Sequence, residues 1–166
     1  MIVEISAGDN LKRIFSDEKN DLEIEYNEQG PRVINYLPYP FNYGILPQTH
    51  ESFDIGADGD PLDVLIIGES LVKGKLYEVK LIGIIEMIDG NEIDNKIISL
   101  FGGKIFSDVN SLNDLEKNYP GTIEIIKLWL SNYKGGFIEI KNIRGKKSAL
   151  KYIKESTKRF IKKNGN

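Results

Sequence analysis

Three carboxylates crowd one short stretch of the chain, Asp58-Gly59-Asp60-Pro61-Leu62-Asp63. Carboxylates this close together repel one another unless a proton or a cation lies between them, and hard divalent cations such as Mg²⁺ and Ca²⁺ take oxygen ligands. A calcium loop of the EF-hand type does not fit, because the sixth position from Asp58 is Asp63 instead of glycine. The stretch therefore predicts a divalent-metal site, and the plainer alternative is a polar turn with three solvated acids.

The residues around the three aspartates predict how they are held. Gly59 and Pro61 are turn residues, because glycine leaves φ free and proline fixes it. The apolar, β-branched residues 64–67 follow at once, and such a run bounded by turn residues predicts a buried strand. We therefore expect the first two aspartates on a tight turn and the third where the chain enters the core.

Strands dominate the rest of the first hundred residues. The predicted ones are 2–5, 22–26, 75–87 and 96–100. The second alternates strictly between apolar and charged residues, which places Glu23 and Glu25 on one face. Residues 7–20 predict a polar loop, and Asp89-Gly90 is a hairpin signal.

Helices appear only late in the chain. Residues 111–117 predict a short helix, and apolar residues at three-and-four spacing over 123–133 predict a second one that Gly135-Gly136 ends. A strand at 137–141 and a final helix with apolar residues over 150–161 follow. Together these elements predict an α+β fold, a mostly antiparallel β-barrel with two helices from the C-terminal half packed on it.

Composition narrows the class of protein. With 166 residues, 40% of them hydrophobic and 28% charged, the chain predicts one ordinary globular domain over residues 1–166. It has no cysteine, which excludes disulfides, thiolate metal sites and cysteine nucleophiles. We expect a cytoplasmic protein without a signal peptide or a membrane span. Residues 51–94 hold eleven acids and three lysines, whereas residues 141–166 hold ten Lys and Arg and one acid. The acidic middle suits cations, and the basic end predicts either a solvated amphipathic helix or a nucleic-acid surface.

Several motifs along nearly the whole chain resemble the soluble family I inorganic pyrophosphatases. They occur in the family's order and are Glu4, Glu25, Tyr39-Pro40, Asn42-Tyr43-Gly44, the stretch Asp58 to Asp63, Asp89 with Asp94 and Lys96, and Tyr133-Lys134. The resemblance implies an OB-like β-barrel with flanking helices, an enzyme that hydrolyses pyrophosphate to two orthophosphates with Mg²⁺, and a homo-oligomer. Dimers and hexamers are both known in the family.

The resemblance also implies a role for each matching residue. The implied metal ligands are Asp58, Asp63 and Asp94 for two activating ions, Asp89 for a third, and Glu4 with Glu25 for a fourth. Asp63 would bridge the first two ions, and Mn²⁺ or another divalent ion is an alternative to Mg²⁺. Asp60 would take the proton of the attacking water. Four residues would hold phosphate oxygens: Tyr43, Lys96, Tyr133 and Lys134.

The chain departs from the family pattern on the phosphate side. By this alignment, Glu23 stands where the family has a phosphate-binding lysine, and strand alternation predicts that Glu23 faces the cavity. The segment 30–39 is short, so that either Tyr36 or Arg32 takes the place of the family's arginine, and we favour Arg32. Lys12 or Arg13 is the candidate for the missing cation.

Three functional hypotheses stay open at this point. The first is a Mg²⁺-dependent inorganic pyrophosphatase that does not bind nucleic acid. The second is a divergent relative with weak activity or with another phosphoanhydride or phosphoester as substrate, which Glu23 would favour. The third is a non-enzymatic OB-like binding protein. It ranks last, because the aromatic residues of the chain cluster with acids and not with basic residues.

Overall fold

The computed structural model describes residues 1–16 and 18–165, and its strands are short and numerous. In chain order they are β1 (Ile2–Ile5), β2 (Arg13–Ser16), β3 (Asp21–Ile24), β4 (Tyr26–Asn27), β5 (Gly30–Pro31), β6 (Asn42–Ile45), β7 (Asp63–Ile67), β8 (Lys80–Asp89), β9 (Glu92–Ile93), β10 (Lys96–Leu100) and β11 (Ile138–Gly145). The helices are α1 (Leu112–Asn118), α2 (Thr122–Asn132) and α3 (Lys146–Asn164), and a single 3₁₀ turn spans Phe53–Ile55.

Seven strands form one mixed sheet in the order β1-β6-β7-β10-β8-β11, with β9 paired to β8. The pairing of β7 with β10 is parallel, and the other pairings in this sheet are antiparallel. The predicted α+β class with a mostly antiparallel sheet and late helices is confirmed. In the described part of the chain the hydrogen-bonded order runs from β1 to β11 and does not close on itself.

The sheet is buried on both faces, which explains the apolar run after the acidic stretch. Alternate residues of β7 point to opposite sides, so that Val64 and Ile66 join one hydrophobic cluster and Leu65 joins the other. The first cluster is completed by α3 through Ala149, and the second by α2 through Trp129. The β7 strand therefore lies in the middle of the core and holds the acidic stretch at its amino end.

Several predicted boundaries differ from the structure, among them the end of the predicted strand 137–141, which continues to Gly145. The predicted loop 7–20 is wrong for residues 13–16, which form β2 and pair with β3 in a separate two-stranded hairpin. The four residues of β2 do not alternate between apolar and polar side chains. They form a strand through their pairing with β3, which lies across a turn. The predicted strand 75–87 begins five residues later, at Lys80, and continues to Asp89.

Among the described residues, no helix is long and apolar enough to cross a membrane.

Candidate active site

The acidic stretch forms a tight turn at the entrance of β7, as its turn residues predict. Gly59 has a φ of +90°, in the left-handed region that glycine tolerates best. The Asp60 N–H donates to Asp58 Oδ1 at 2.9 Å, and two backbone hydrogen bonds tie the turn to Glu51. Asp63 begins β7 itself. The turn therefore presents Asp58 and Asp60 beside the end of the central strands.

A cavity of about 230 Å³ opens at this turn. Ten of the twelve site residues predicted from the sequence line it: Glu4, Tyr43, Asp58, Asp60, Asp63, Asp89, Asp94, Lys96, Tyr133 and Lys134. Lys12, Glu92 and four apolar or ring side chains complete the wall. Residues that are distant in the sequence therefore meet at one place, because β1, β6, β7 and β10 lie side by side in the sheet.

Lys96 is at the centre of the polar contacts. Its side chain is 1% exposed, and its Nζ lies 2.6 Å from Asp63 Oδ2, 2.7 Å from Asp94 Oδ1 and 3.0 Å from the Tyr43 hydroxyl. The Tyr43 hydroxyl donates to the same Asp63 oxygen. Burial alone would lower the pKa of Lys96. The charges of Asp63 and Asp94 raise it by more, so that the pKa lies well above its ordinary value. Lys96 is therefore a fixed positive charge.

Three further carboxylates of the cavity, Glu4, Asp58 and Asp60, lie among like charges. Burial raises the pKa of Glu4 to about 8, although the Phe15 N–H lowers it, and nearby Asp63 raises it again. Burial also raises the pKa of Asp58 and of Asp60, and the neighbouring carboxylates add to both shifts. Seven acids and three lysines line the cavity. Such a site favours the entry of cations.

A second set of charges adjoins the cavity and involves the two predicted site residues that do not line it. Glu25 Oε2 lies 3.0 Å from Lys12 Nζ, and Glu25 Oε1 accepts a hydrogen bond from Arg32. Burial raises the pKa of Glu25, but Lys12 and Arg32 lower it to below its ordinary value. Glu25 is thus engaged by two cations, and Lys12 reaches the cavity wall.

The prediction that Glu23 faces the cavity is wrong. Its side chain accepts a hydrogen bond from Lys19 at the far end of the β2–β3 hairpin, and it does not line the cavity. The β3 strand ends at Ile24, so that the alternation of faces does not continue to Glu25. The carboxylate that approaches the site is therefore Glu25, and the cation is Lys12.

Aromatic side chains support the opposite wall. Tyr133 follows the last residue of α2 and stacks on Trp129, with ring centroids 4.5 Å apart and an interplanar angle of 11°. The Trp129 indole N–H donates to the Leu37 carbonyl at 2.9 Å. Next to Tyr133, Lys134 binds Asp89. The predicted phosphate-binding pair therefore follows a helix end that is packed through its aromatic side chains.

Comparison with known proteins agrees with this arrangement. The family model described as inorganic pyrophosphatase matches residues 1–161. The chain belongs to the inorganic pyrophosphatase family. An inorganic pyrophosphatase of Nanoarchaeum equitans is 33% identical over 165 residues, which cover 96% of each chain. One of Dictyostelium discoideum is 37% identical over 145 residues, covering 81% of this chain and 52% of the relative, so that the chain spans about half of that protein.

Solved structures of the same family show the same fold. The pyrophosphatase of Trypanosoma brucei brucei aligns with a TM-score of 0.91 and 26% identity over 96% of this chain and 52% of its own. A truncated vacuolar soluble pyrophosphatase of Trypanosoma cruzi, solved in complex with PPi, gives a TM-score of 0.93 at 27% identity, covering 99% and 69% of the two chains. The resemblance drawn from the sequence motifs is confirmed.

The cavity of this family member fits divalent cations in its chemistry. Its acids supply hard oxygen donors, and burial together with neighbouring carboxylates raises the pKa values of Glu4, Asp58 and Asp60. Among residues 1–16 and 18–165, however, no three acidic or histidine side chains converge closely enough to form a metal cluster. Lys96 lies between Asp63 and Asp94 instead. The oxygen donors therefore line one cavity without forming a closed ligand set.

Lys12 and Glu92 are the charged wall residues that were not among the predicted site residues. Lys12 was only one of two candidates for a missing cation, because its position depends on how the β2–β3 hairpin folds over the cavity. Its proximity to Glu4 in sequence was the available signal. Glu92 follows the hairpin signal Asp89-Gly90, and the acidic residues next to it were the sequence signal that could have placed it at the site.

Proposed function

We propose that this chain hydrolyses inorganic pyrophosphate to two orthophosphates and needs a divalent cation, with Mg²⁺ as the first candidate and Mn²⁺ as an alternative. The observation that carries the proposal is the single cavity in which excess carboxylates meet three lysines. Pyrophosphate is a dense anion, so that its binding requires cations, and carboxylates recruit those cations. The membership in the pyrophosphatase family supports the same activity.

We assign the metal ligands to the acidic side of the cavity. Asp58, Asp63 and Asp94 would hold the activating ions, and Asp89 and Glu4 would hold ions that arrive with substrate. Bound there, divalent cations would screen the charge of the substrate and lower the pKa of water. Glu25 was also expected to hold a metal, and its pairing with Lys12 and Arg32 favours a role in orienting those cations instead.

Asp60 is the proposed general base. It lines the cavity, and burial followed by the charge of Asp63 raises its pKa, which makes it a better proton acceptor near neutral pH than an ordinary aspartate. Among the described residues Asp60 forms no ion pair, in contrast to Asp63 and Asp94. Its carboxylate is thus available to take a proton from the attacking water.

Basic and phenolic side chains on the other walls would hold the phosphate oxygens. They are Tyr43, Lys96, Tyr133 and Lys134, as predicted, with Lys12 added and Arg32 behind it. An ammonium close to phosphate forms charge-assisted hydrogen bonds, and it neutralises the charge that develops on the leaving group. Lys96 and Tyr43 share a hydrogen bond of 3.0 Å, so that both would act on one phosphate.

A phosphate-release assay tests this proposal. Purified chain is mixed with pyrophosphate and MgCl₂, with Asp60→Asn as the matched variant, and orthophosphate is measured over time. We expect turnover by the wild type that depends on the divalent cation and falls by at least about a hundredfold in the variant. Wild-type turnover no greater than that of Asp60→Asn would refute the proposal. Glu23 bonds to Lys19 and does not line the cavity, so that it gives no support to a different substrate.

Three further features complete the proposal. The chain would be a single domain over residues 1–166, since both hydrophobic clusters share one sheet. It would act in the cytoplasm, away from membranes and nucleic acid. It would assemble as a homo-oligomer, which light scattering coupled to gel filtration would test by giving a mass above the 18.8 kDa of one chain.

A further inference from the structure

A segment outside the cavity, residues 49–51, runs alongside the acidic turn and is bonded to it. The Glu51 N–H donates to the Asp60 carbonyl at 2.8 Å, and the Gly59 N–H donates to the Glu51 carbonyl at 2.7 Å. These two bonds flank the peptide that joins Gly59 and Asp60. The place of the turn relative to the rest of the fold therefore depends on where Glu51 is held.

Helix α3 forms hydrogen bonds with the same segment, residues 49–51. The His50 N–H donates to Ser156 Oγ at 3.0 Å, and Arg159 Nε donates to the His50 carbonyl at 2.9 Å. Arg159 Nη2 also donates to Glu51 Oε1 at 2.7 Å, while the Tyr152 hydroxyl donates to Glu51 Oε2. Both oxygens of the Glu51 carboxylate thus have a partner on one helix face.

The burial of the Glu51 carboxylate indicates a role other than raising the free energy of unfolding. Glu51 is 5% exposed and does not line the cavity. Taking a charge pair out of water is costly, and the attraction between the two charges offsets that cost only when the geometry is good. What such a pair does provide is a defined position, because guanidinium and carboxylate are bonded in a fixed orientation.

We propose that Arg159 and Tyr152 are positioning residues, which act through Glu51 to hold the Asp58–Asp60 turn in the geometry that hydrolysis needs. The inference rests on the proposed pyrophosphatase activity. The path from helix to turn consists of two side-chain bonds to the Glu51 carboxylate and two backbone bonds from Glu51 to the turn. A displacement of about 1 Å in a catalytic group can lower the rate about a hundredfold, so that a loosened turn would lower kcat.

The test compares two neighbouring residues of α3 that differ in their contacts. Arg159→Gln removes the bond to Glu51 and the bond to the His50 carbonyl, and Lys158→Gln removes the same charge from an exposed position next to it. Tyr152→Phe deletes only the hydroxyl, and Arg159→Lys keeps the charge. For each variant kcat and KM are measured at saturating Mg²⁺ and well below its Tm. Amide hydrogen exchange at Glu51 and Gly59 is measured without substrate.

We expect Arg159→Gln to lower kcat about tenfold or more, with KM changed by less than about threefold, and to speed exchange at both amides about tenfold. Tyr152→Phe should shift both readouts in the same direction by less, Arg159→Lys should recover most of kcat, and Lys158→Gln should change neither. Wild-type kcat and exchange in folded Arg159→Gln would overturn the inference, even with a lowered Tm. A wild type that does not turn over pyrophosphate would refute the proposed function alone, since the exchange measurement still decides whether Arg159 holds the turn.

Discussion

Lys96 Nζ lies 2.6 Å from Asp63 Oδ2, and the two residues are direct partners in the parallel pairing of β10 with β7. The pairing places an ammonium beside a carboxylate in the wall of the cavity, and Asp94 receives a second bond from the same ammonium at 2.7 Å. Both aspartates are proposed metal ligands. A divalent cation bound there would therefore compete with Lys96 for the same oxygens.

The first prediction concerns the stability of the metal-free protein. We expect Lys96→Met to lower the free energy of unfolding by about 3 kcal/mol, because it leaves two carboxylates without their cation. The figure lies at the lower end for a broken buried pair, since the side chains of Asp63 and Asp94 retain 22% and 15% exposure to water. Urea unfolding in the presence of a chelator measures it.

The matched control is Lys127→Met, whose lysine is 39% exposed and pairs with Glu124 on its own helix. Its cost should stay below about 1 kcal/mol. Addition of Mg²⁺ should stabilise Lys96→Met more than the wild type, since the cation would take over the freed oxygens. Equal costs for the two methionine variants would contradict the central place of Lys96.

Local signals explain which parts of the site were predictable. The turn at Gly59 and Pro61 and the buried strand after it depend on neighbouring residues, and both were found from the sequence. The pairing of Lys96 with Asp63 was not, because it arises from a parallel alignment of strands some thirty residues apart. A sheet order of this kind is a property of the whole fold, and no window of residues contains it.

The β2–β3 hairpin is a second feature that local sequence patterns predicted only in part. Alternation over residues 22–26 indicated a strand and placed Glu23 and Glu25 on one face, but the strand ends at Ile24 and only Glu25 approaches the cavity. β2 was missed because Arg13 to Ser16 carries no alternation that local reasoning can detect. The position of Lys12 follows from that hairpin and its contact with Glu25, so that it became visible only in three dimensions.

The second prediction assigns substrate binding to Lys12. We expect Lys12→Met to raise KM for pyrophosphate about tenfold or more, because a lost charge-assisted contact costs ~1.5–3 kcal/mol. Lys19→Met is the matched control on the same hairpin, since Lys19 is 67% exposed and bonds to Glu23 away from the cavity. Steady-state kinetics at saturating Mg²⁺ measures both. Glu23→Lys should leave KM unchanged, and a lower KM for that variant would show that Glu23 acts on the substrate after all.

The third prediction concerns the close approach of β1 and β6. A Cβ added to Gly44 would collide with the Ile2 carbonyl oxygen, which is backbone and cannot rotate away. Gly44→Ala should therefore lower the free energy of unfolding by at least about 2 kcal/mol. At Gly145 a Cβ meets nothing within 4 Å and φ is −73°, so that Gly145→Ala should cost little. Similar denaturation midpoints for the two variants would contradict this account.

The fourth prediction concerns pH and begins with Glu4, which is 5% exposed. Burial raises its pKa from 4.5 in the unfolded chain to about 8 in the folded protein, despite the Phe15 N–H that donates to it at 2.7 Å. Between these two values the folded state binds more protons than the unfolded state. Stability from this group is therefore fully present below pH 4.5 and is lost as the pH rises to about 8.

Chemical denaturation of the metal-free protein across this range tests the prediction. The glutamine of Glu4→Gln cannot ionise. As the pH rises, the free energy of unfolding of this variant should therefore increase relative to that of the wild type, by an amount on the order of 4 kcal/mol. Glu28→Gln, at an exposed position, should run parallel to the wild type throughout. Mg²⁺ should flatten the wild-type curve, because a cation near Glu4 favours its charged form. A constant difference between Glu4→Gln and the wild type would mean that Glu4 is ionised in the folded protein without metal, and the cavity would then hold more negative charge than its geometry implies.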